Sequence, residues 1–325
     1  MQKTLSVVNL SAICGNAKYI RSLIGGRFFY AVVKAEAYGH GAAEVARAIE
    51  DAVDGFCVAI ADEGAALRVC GIVKPILVFA PPLDNDDAEQ MKYYNLTPTV
   101  TDESSAALCG GLPCQIAINT GMNRYGCFGG QLDQVLKIIP RGNVTGAYSH
   151  LYAAENEEHS ARQLQLFKAA QRAVKEHSPN AFFHLAASGG IFRGGEYLLD
   201  GVRCGIALYG YAPHGFACKN LTPALKVYAR LSHETAVTGG GVGYNIAREK
   251  YEKLYTYRLG YADGFSRNVP LGERTLCMDA FISKEEREYM PVLTDADEYA
   301  RKCGTISYEV LCSVTRRSRI VYEWR

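Results

Sequence analysis

Between residues 28 and 210 the chain repeats one pattern eight times, a short apolar run followed by a stretch of helical character. The runs are FFYAVVKA, GFCVAI, PILVFAP, LTPTVT, QIAINTG, VTGAYSHL, AFFHLAAS and VRCGIALYG. Between them lie segments such as HGAAEVARAIEDA and EHSARQLQLFKAAQRAVKEH. The second places Leu164, Phe167, Ala170 and Val174 at helical spacing. Eight strands interleaved with helices predict an α/β fold of the (β/α)8 TIM-barrel type, with an open doubly wound sheet as the alternative.

The length, 325 residues, allows a barrel and a smaller module. After about residue 218 the texture changes. ALKVYARLSHETAVTGGGVGYN and KLYTYRLGYADGF are strand-like and punctuated by glycine, with no helix between them. The expected division is a barrel over 1–218 and a mostly β domain over 219–325, with DADEYARKCGTISYEVLCSV as a helical insertion near its end.

Charge and cysteine usage exclude several classes. A net charge of +1 carries no electrostatic footprint for nucleic acid or an anionic membrane. The eleven cysteines are odd in number and contain no Cys-x-x-Cys pair, which argues against a disulfide framework or a zinc ribbon and for reduced thiols in a cytosol. The opening MQKTLSVVNLSAI lacks the apolar core of a signal peptide, and no run reaches the ~20 apolar residues of a membrane span. A cytoplasmic enzyme without a metal site is the expectation.

The first apolar run ends on Lys34, within YAVVKAEAYGHG. A lysine at the mouth of a strand is ordinarily solvated. In barrels of this kind, however, chemistry sits where strands end. The polar residues there are Lys34, Arg124, His150, Ser188 and Arg203. The last two strands also offer Ser188 and the Gly205–Ile206 backbone, where the fold commonly holds a phosphate. An amine at one strand end and a phosphate cradle opposite suggest a lysine–pyridoxal Schiff base. Plainer readings stand beside this one. Tyr244 is one of 21 tyrosines, His150 and His184 suit core positions, and Cys277 suits a packed thiol. TGGGVG lacks the Lys-Ser/Thr ending of a phosphate loop and reads as a hairpin turn.

AVVKAEAYGHG resembles the pyridoxal-lysine motif of alanine racemases. NTGMNRYG, HLAASGG, VRCGIALYG, VGYN, GYADGFSR, CMDAF and GTISYEVLCSVTRR follow in the order of that family. The resemblance runs from VVNLSAI to RIVY, nearly the whole chain. It implies that Lys34 carries pyridoxal 5'-phosphate and serves as one base. Tyr244, reaching in from the other subunit of a homodimer, is then the second base. It implies phosphate contacts from Tyr38, Ser188, Gly205, Ile206 and Tyr308, and places Arg203 at the pyridine nitrogen. Arg124 would hold the substrate carboxylate, and the partner's Cys277, Met278 and Asp279 would complete the pocket wall. His150 would bond Tyr244 and favour its ionised form, with Arg203, His184 and Asp62 continuing the line. Met278 and Tyr308 would make a small pocket suited to alanine.

The chain departs from the family's pattern at four positions in the barrel. Ala117 stands where the family often has a carbamylated lysine, Asn119 where it has Asp, Glu36 where it has Asn or Asp, and Ala187 where it has Asn. The segments SRNVPLGERTLCMD and EYMPVLTDADEY look trimmed of a hairpin on each side of CMD. The expected function is interconversion of L- and D-alanine, supplying D-alanine for peptidoglycan. The alternatives are a racemase for serine or another amino acid on the same fold, and a non-catalytic pyridoxal phosphate-binding protein. A related barrel decarboxylase is disfavoured because its Gly-rich phosphate motif is absent.

Overall fold

The computed structural model describes residues 4–237, 239–246, 249–269, 271 and 275–324. Thr238 of the TGGGVG stretch, and Pro270 and residues 272–274 of the SRNVPLGERTLCMD segment, lie outside that set. The chain divides into two compact units. One comprises 13–37 and 42–222, the other the first twelve residues, 38–41 and everything from 223 onward.

After the opening strand β1 (Thr4–Asn9), the eight apolar runs of the first unit all become strands. They are β2 (Phe28–Val32), β3 (Gly55–Val58), β4 (Ile76–Val78), β5 (Thr99–Val100), β6 (Cys114–Ala117), β7 (Val144–Tyr148), β8 (Phe182–His184) and β9 (Gly201–Cys204). They pair in parallel in the order β4-β3-β2-β9-β8-β7-β6-β5. The remaining edges meet at a seam. Leu77 bridges Thr97, the Val78 amide donates to the Thr97 carbonyl at 3.0 Å, and the Thr97 amide donates to the Ile76 carbonyl at 2.8 Å. Those bonds distinguish a barrel from an open sheet.

Burial explains why the runs are continuously apolar rather than alternating. Phe29 to Val32, Phe56 to Val58 and Ile76 to Val78 are buried throughout, as strands covered on both faces must be. Each large apolar side chain so buried contributes about 1.5–3 kcal/mol. The helix Glu157–His177 shows how the outer layer is specified. Leu164, Phe167 and Val174 are buried on one stripe, with Ala170 packed against the same core. Asn156 caps it by accepting the His159 amide at 3.0 Å. Glu157 and Glu158 in the first turn and Lys175 and His177 in the last suit its dipole.

The second unit is mostly β. Its strands are β10 (Leu225–Ala236), β11 (Gly241–Val242), β12 (Asn245–Ile246), β13 (Lys253–Tyr257), β14 (Thr275–Leu276), β15 (Phe281–Ser283), β16 (Tyr289–Leu293) and β17 (Arg319–Glu323). The main sheet runs β14-β15-β13-β10-β1-β17, with β16 also on β10, and β11 and β12 form a separate hairpin. Helices Ala296–Cys303 and Ser307–Val314 fill the DADEY…CSV segment. The opening strand joins this sheet and not the barrel. Its burial alternates, with Thr4, Ser6 and Val8 covered, and it lies antiparallel to β10 and parallel to β17. Among the described residues no helix is long and apolar enough to cross a membrane.

Residues 38–41 also belong to this second unit, and Gly39 fixes their approach. Its φ is +79°, and a Cβ there would lie 2.3 Å from the Leu311 carbonyl oxygen and 2.7 Å from Thr315 Oγ1. Gly71 has φ of +92° but nothing within 4 Å of such a Cβ. Gly71→Ala should therefore cost only the backbone term, ~1–2 kcal/mol. Gly39→Ala adds a collision with main chain, for a total of ~3 kcal/mol or more. Urea unfolding of the two variants checks this, and equal losses would refute the close-approach argument.

Candidate active site

Strands β2 and β9 are neighbours, in register with Tyr30 opposite Arg203 and Ala31 opposite Cys204. The chains therefore leave the barrel side by side, into Lys34 on one strand and Gly205–Ile206 on the other. Lys34 Nζ lies 5.9 Å from the centre of the Phe79 ring. Arg203 is only 2% exposed, and its guanidinium is caged by main chain and rings. Nη1 donates to His184 Nδ1 at 2.6 Å and to the His184 carbonyl at 2.9 Å. Nη2 donates to the carbonyls of Ser149 and Leu185. The Tyr148 ring lies 4.9 Å from the guanidinium carbon.

The cage has an outer support. Gln115 Nε2 donates to Tyr30 Oη at 3.2 Å, which turns its carbonyl oxygen toward His184 Nε2 at 2.7 Å. That orientation puts the His184 proton on Nε2 and leaves Nδ1 as the acceptor for Arg203. Burial, then Arg203, pushes the His184 pKa well below its ordinary value, so the ring is neutral. Tyr148 is pushed up to about 12, chiefly by burial, and stays a donor. Its hydroxyl meets Thr99 Oγ1 at 2.9 Å, and Thr99 in turn donates to the Val78 carbonyl at 2.6 Å, across the barrel seam. Gln115, Tyr30 and Tyr148 escaped the sequence reading because single polar residues inside apolar runs carry no motif.

His150, half-buried just after β7, is pushed down to about 3 by burial and then by Arg203, Arg124 and Lys34. Three cations thus converge on a neutral imidazole. The positive charge around His150 therefore belongs to Arg203, Arg124 and Lys34. The expected line beyond Arg203 and His184 is corrected. Asp62 is exposed and accepts from Gln90 at 2.8 Å, and the line passes instead through Gln115 to Tyr30.

Ser188 opens the short helix Ser188–Arg193 after β8. Its hydroxyl oxygen accepts the Gly205 amide at 3.2 Å and the Ala207 amide at 3.4 Å. Two amides and a hydroxyl converging beside the ends of β8 and β9 are donors of the kind a phosphate takes. With an amine on the adjoining strand, they fit pyridoxal 5'-phosphate.

Arg124 is exposed, and among the described residues no hydrogen bond or ion pair holds it. Asn119 organises the loop that carries it. Its Oδ1 accepts the main-chain amides of Gly121 at 3.0 Å and Asn123 at 3.1 Å, and its Nδ2 donates to Asn123 Oδ1. Asn123 takes φ of +57°, which asparagine tolerates. Ala117, buried at the end of β6, brings no amine of its own to this loop.

The turn after Lys34 is helical in its pairing but left-handed. Ala35, Glu36, Ala37 and Tyr38 have φ of +52, +53, +51 and +54°. Each such L-residue costs ~1–2 kcal/mol relative to the right-handed form. Backbone strain of this size persists only where neighbouring groups hold it.

The other candidates lie in the second unit. Tyr38 and Tyr308 pack on each other, their ring centres 5.9 Å apart. The strip Cys277–Asp279 is held by main chain, with the Tyr261 and Ala262 amides donating to the Cys277 and Met278 carbonyls, each at 3.0 Å. Arg317 anchors Asp279 at 2.9 Å and reaches Asp263 at 3.5 Å. Burial raises the Cys277 pKa, which keeps it a thiol. Met278 is 53% exposed. Tyr244 occupies the two-residue turn of the β11–β12 hairpin, where Val242 pairs with Asn245, and is 76% exposed.

Comparison with known proteins points in one direction. Residues 8–213 match the family described as alanine racemase, N-terminal domain. The alanine racemase of Carboxydothermus hydrogenoformans is 32% identical over 370 aligned residues, covering 99% of this chain and all of its own. That alignment is longer than the 325 residues here, so the relative carries segments this chain lacks. The crystal structure of Bacillus anthracis alanine racemase with bound L-Ala-P superposes with a TM-score of 0.88 at 27% identity, over 99% of this chain and 95% of that one. That of Bartonella henselae alanine racemase with covalently bound pyridoxal phosphate shares the fold, with a TM-score of 0.83 at 23% identity over 99% and 100% of the two chains.

The state of His150 has a measurable consequence. Its folded pKa of about 3 lies below the unfolded value of 6.5, so between these limits only the unfolded chain takes up the proton. The stability tied to the neutral ring is whole above pH 6.5 and drains as pH falls toward 3, at ~1.4 kcal/mol per pH unit. The wild type should therefore lose stability more steeply than His150→Gln between pH 6 and 4 in urea titrations. Parallel acid limbs would show that His150 is not held neutral.

Proposed function

The chain belongs to the alanine racemase family, and on that premise we propose that it interconverts L- and D-alanine with Lys34 and Tyr244 as two bases. The carrying observation is the side-by-side exit of Lys34 and Gly205–Ile206 from paired strands, with Arg203 buried on the second of them. Lys34 would hold pyridoxal 5'-phosphate covalently. Ser188, Gly205 and Ile206 would bind its phosphate, with Tyr38 and Tyr308 as the phenols the resemblance adds. Arg203 would donate to its ring nitrogen, since a guanidinium has donors and no acceptor. When bound, the cofactor supplies an electron-withdrawing ring that makes the α-hydrogen of the attached amino acid acidic.

The protein's own work is then proton handling. Racemisation needs a proton to leave one face of the α-carbon and another to arrive on the opposite face. A single base would tend to restore the starting hand. The Lys34 amine would exchange the α-hydrogen of the D-isomer and the Tyr244 hydroxyl that of the L-isomer. Arg124, with no partner among the described residues, would take the substrate carboxylate as a fork of donors. A tyrosine with an ordinary pKa of ~10 is a poor base near neutrality and needs cationic surroundings. The three cations around His150 would provide them. The exposure of Tyr244, Met278 and Asp279 fits residues that complete the site of a second subunit, so a homodimer with shared sites is part of the proposal. Supply of D-alanine to the cell wall is the corresponding biological role.

Two measurements test this reading. Purified holoenzyme given L-alanine or L-serine should racemise alanine faster by chiral analysis, and loss of hand in serine alone would overturn the substrate assignment. In heavy water, Tyr244→Phe should still exchange the α-hydrogen of D-alanine, slowly and with retention, while exchange from L-alanine falls to background. Equal, undiminished exchange from both isomers would remove Tyr244 as a base.

A further inference from the structure

We propose that Glu63 is the positioning residue that holds the turn after Lys34 in its left-handed form and so aims the Lys34 amine. The inference rests on the role given to Lys34 above. Glu63 sits in the first turn of the helix Ala61–Val69. Oε1 accepts the amide of Ala35 at 2.7 Å, and Oε2 accepts the amide of Ala59 at 2.6 Å. Ala59 directly follows β3, whose Cys57 carbonyl accepts the amide of Val33 at 2.9 Å. The residue before Lys34 is thus pinned to β3 by a sheet bond. The residue after it is pinned to the end of the same strand through a single carboxylate. Lys34 stands between two fixed peptides.

The far end of the turn is tied down in the same way. The Ala37 amide donates to the Val33 carbonyl at 2.8 Å, and Glu36 Oε2 accepts the amide of Ala42 at 3.1 Å, the first residue of the helix Ala42–Ile49. Glu36, one of the departures from the family's pattern, thus holds the backbone where the turn meets the next helix. Both oxygens of Glu63 face N–H donors, and only a carboxylate can accept twice in that arrangement. A glutamine of the same shape offers one acceptor and one donor, so one amide would confront an N–H group. Release of the Ala35 amide frees the turn to relax toward the right-handed form and carries the lysine with it.

Because the clamp touches only the Lys34 side of the reaction, its loss should be unequal. Holoenzyme carrying Glu63→Gln should lose α-hydrogen exchange from D-alanine in heavy water by ~10–100-fold, the scale of one charge-assisted hydrogen bond. Exchange from L-alanine should fall much less, so the D-to-L ratio drops. Adding Ala35→Gly, which accepts a φ near +52° without cost, should recover part of that ratio and also relieves a Glu63→Gln chain that folds poorly. An unchanged ratio in either variant overturns the proposal. So does an equal loss on both faces that Ala35→Gly leaves unrepaired, because that is the mark of general destabilisation. Lys34→Ala run alongside separates the two possible failures. If it still racemises, the role of Lys34 falls and the proposal with it. If it is inactive while Glu63→Gln matches wild type, only the proposal falls.

Discussion

A guanidinium that cannot shed its proton is buried inside the barrel, and most of the polar interior is arranged around that fact. Among the described residues Arg203 has no carboxylate partner. Its hydrogen bonds go to three carbonyls and one imidazole, and a phenol ring lies against it. Taking a charge out of water is expensive unless its donors are met. Here they are met by groups on β7, β8 and the loops after them, so one side chain ties three strands together. The uncompensated charge also acts outward, and it contributes to keeping both His150 and His184 neutral. Replacement of Arg203 by an acid would therefore change more than any bond it would make to the proposed cofactor. It would leave the His184, Ser149 and Leu185 carbonyls facing an anion.

The second constraint is one of handedness. A run of four left-handed residues other than glycine follows Lys34, which the proposed mechanism makes the base for one defined face of a carbon atom. Strain at a functional site is retained when the surroundings over-determine it. Glu63, Glu36 and the Val33 carbonyl supply that over-determination, and Gly39 and Gly41, with φ of +79 and +88°, let the chain leave the turn without further cost.

Much of this architecture was legible in the residues, and the boundary of legibility has a physical cause. The eight apolar runs became β2 to β9 because a strand buried on both faces has to be written in contiguous apolar residues. The GGVGYN stretch became a hairpin because Gly243, with φ of +58°, takes the first position of its two-residue turn, where other residues turn only at a cost. What stayed hidden is what depends on distant pairing. β1 reads as a strand, but its partners lie more than two hundred residues away, and nothing local says which sheet will take it. KAEAYG is made of good helix formers, and no propensity marks it as left-handed. Which polar residue would continue the line from His184, Asp62 or Gln115, was decided by barrel closure. Closure turns the interior face of β6 toward β8 and leaves Asp62 at the surface.

The loop that carries Arg124 shows how these constraints meet. The family pattern would orient that arginine with a carbamylated lysine and an aspartate, and this chain has Ala117 and Asn119 instead. Asn119 satisfies the loop's own amides, so it shapes the backbone without neutralising the arginine. Position then has to come from beneath. The Thr120 and Ser149 hydroxyls share a hydrogen bond of 2.7 Å, and Gln163 donates both to Thr120 at 2.8 Å and to the His150 carbonyl at 2.9 Å. The same Ser149 presents its carbonyl to Arg203. One residue thus carries the loop on its side chain and the buried guanidinium on its main chain. The two arginines are set relative to each other by a floor of neutral hydrogen bonds, and the exposed charge of Arg124 would be available to the carboxylate that the proposed reaction brings.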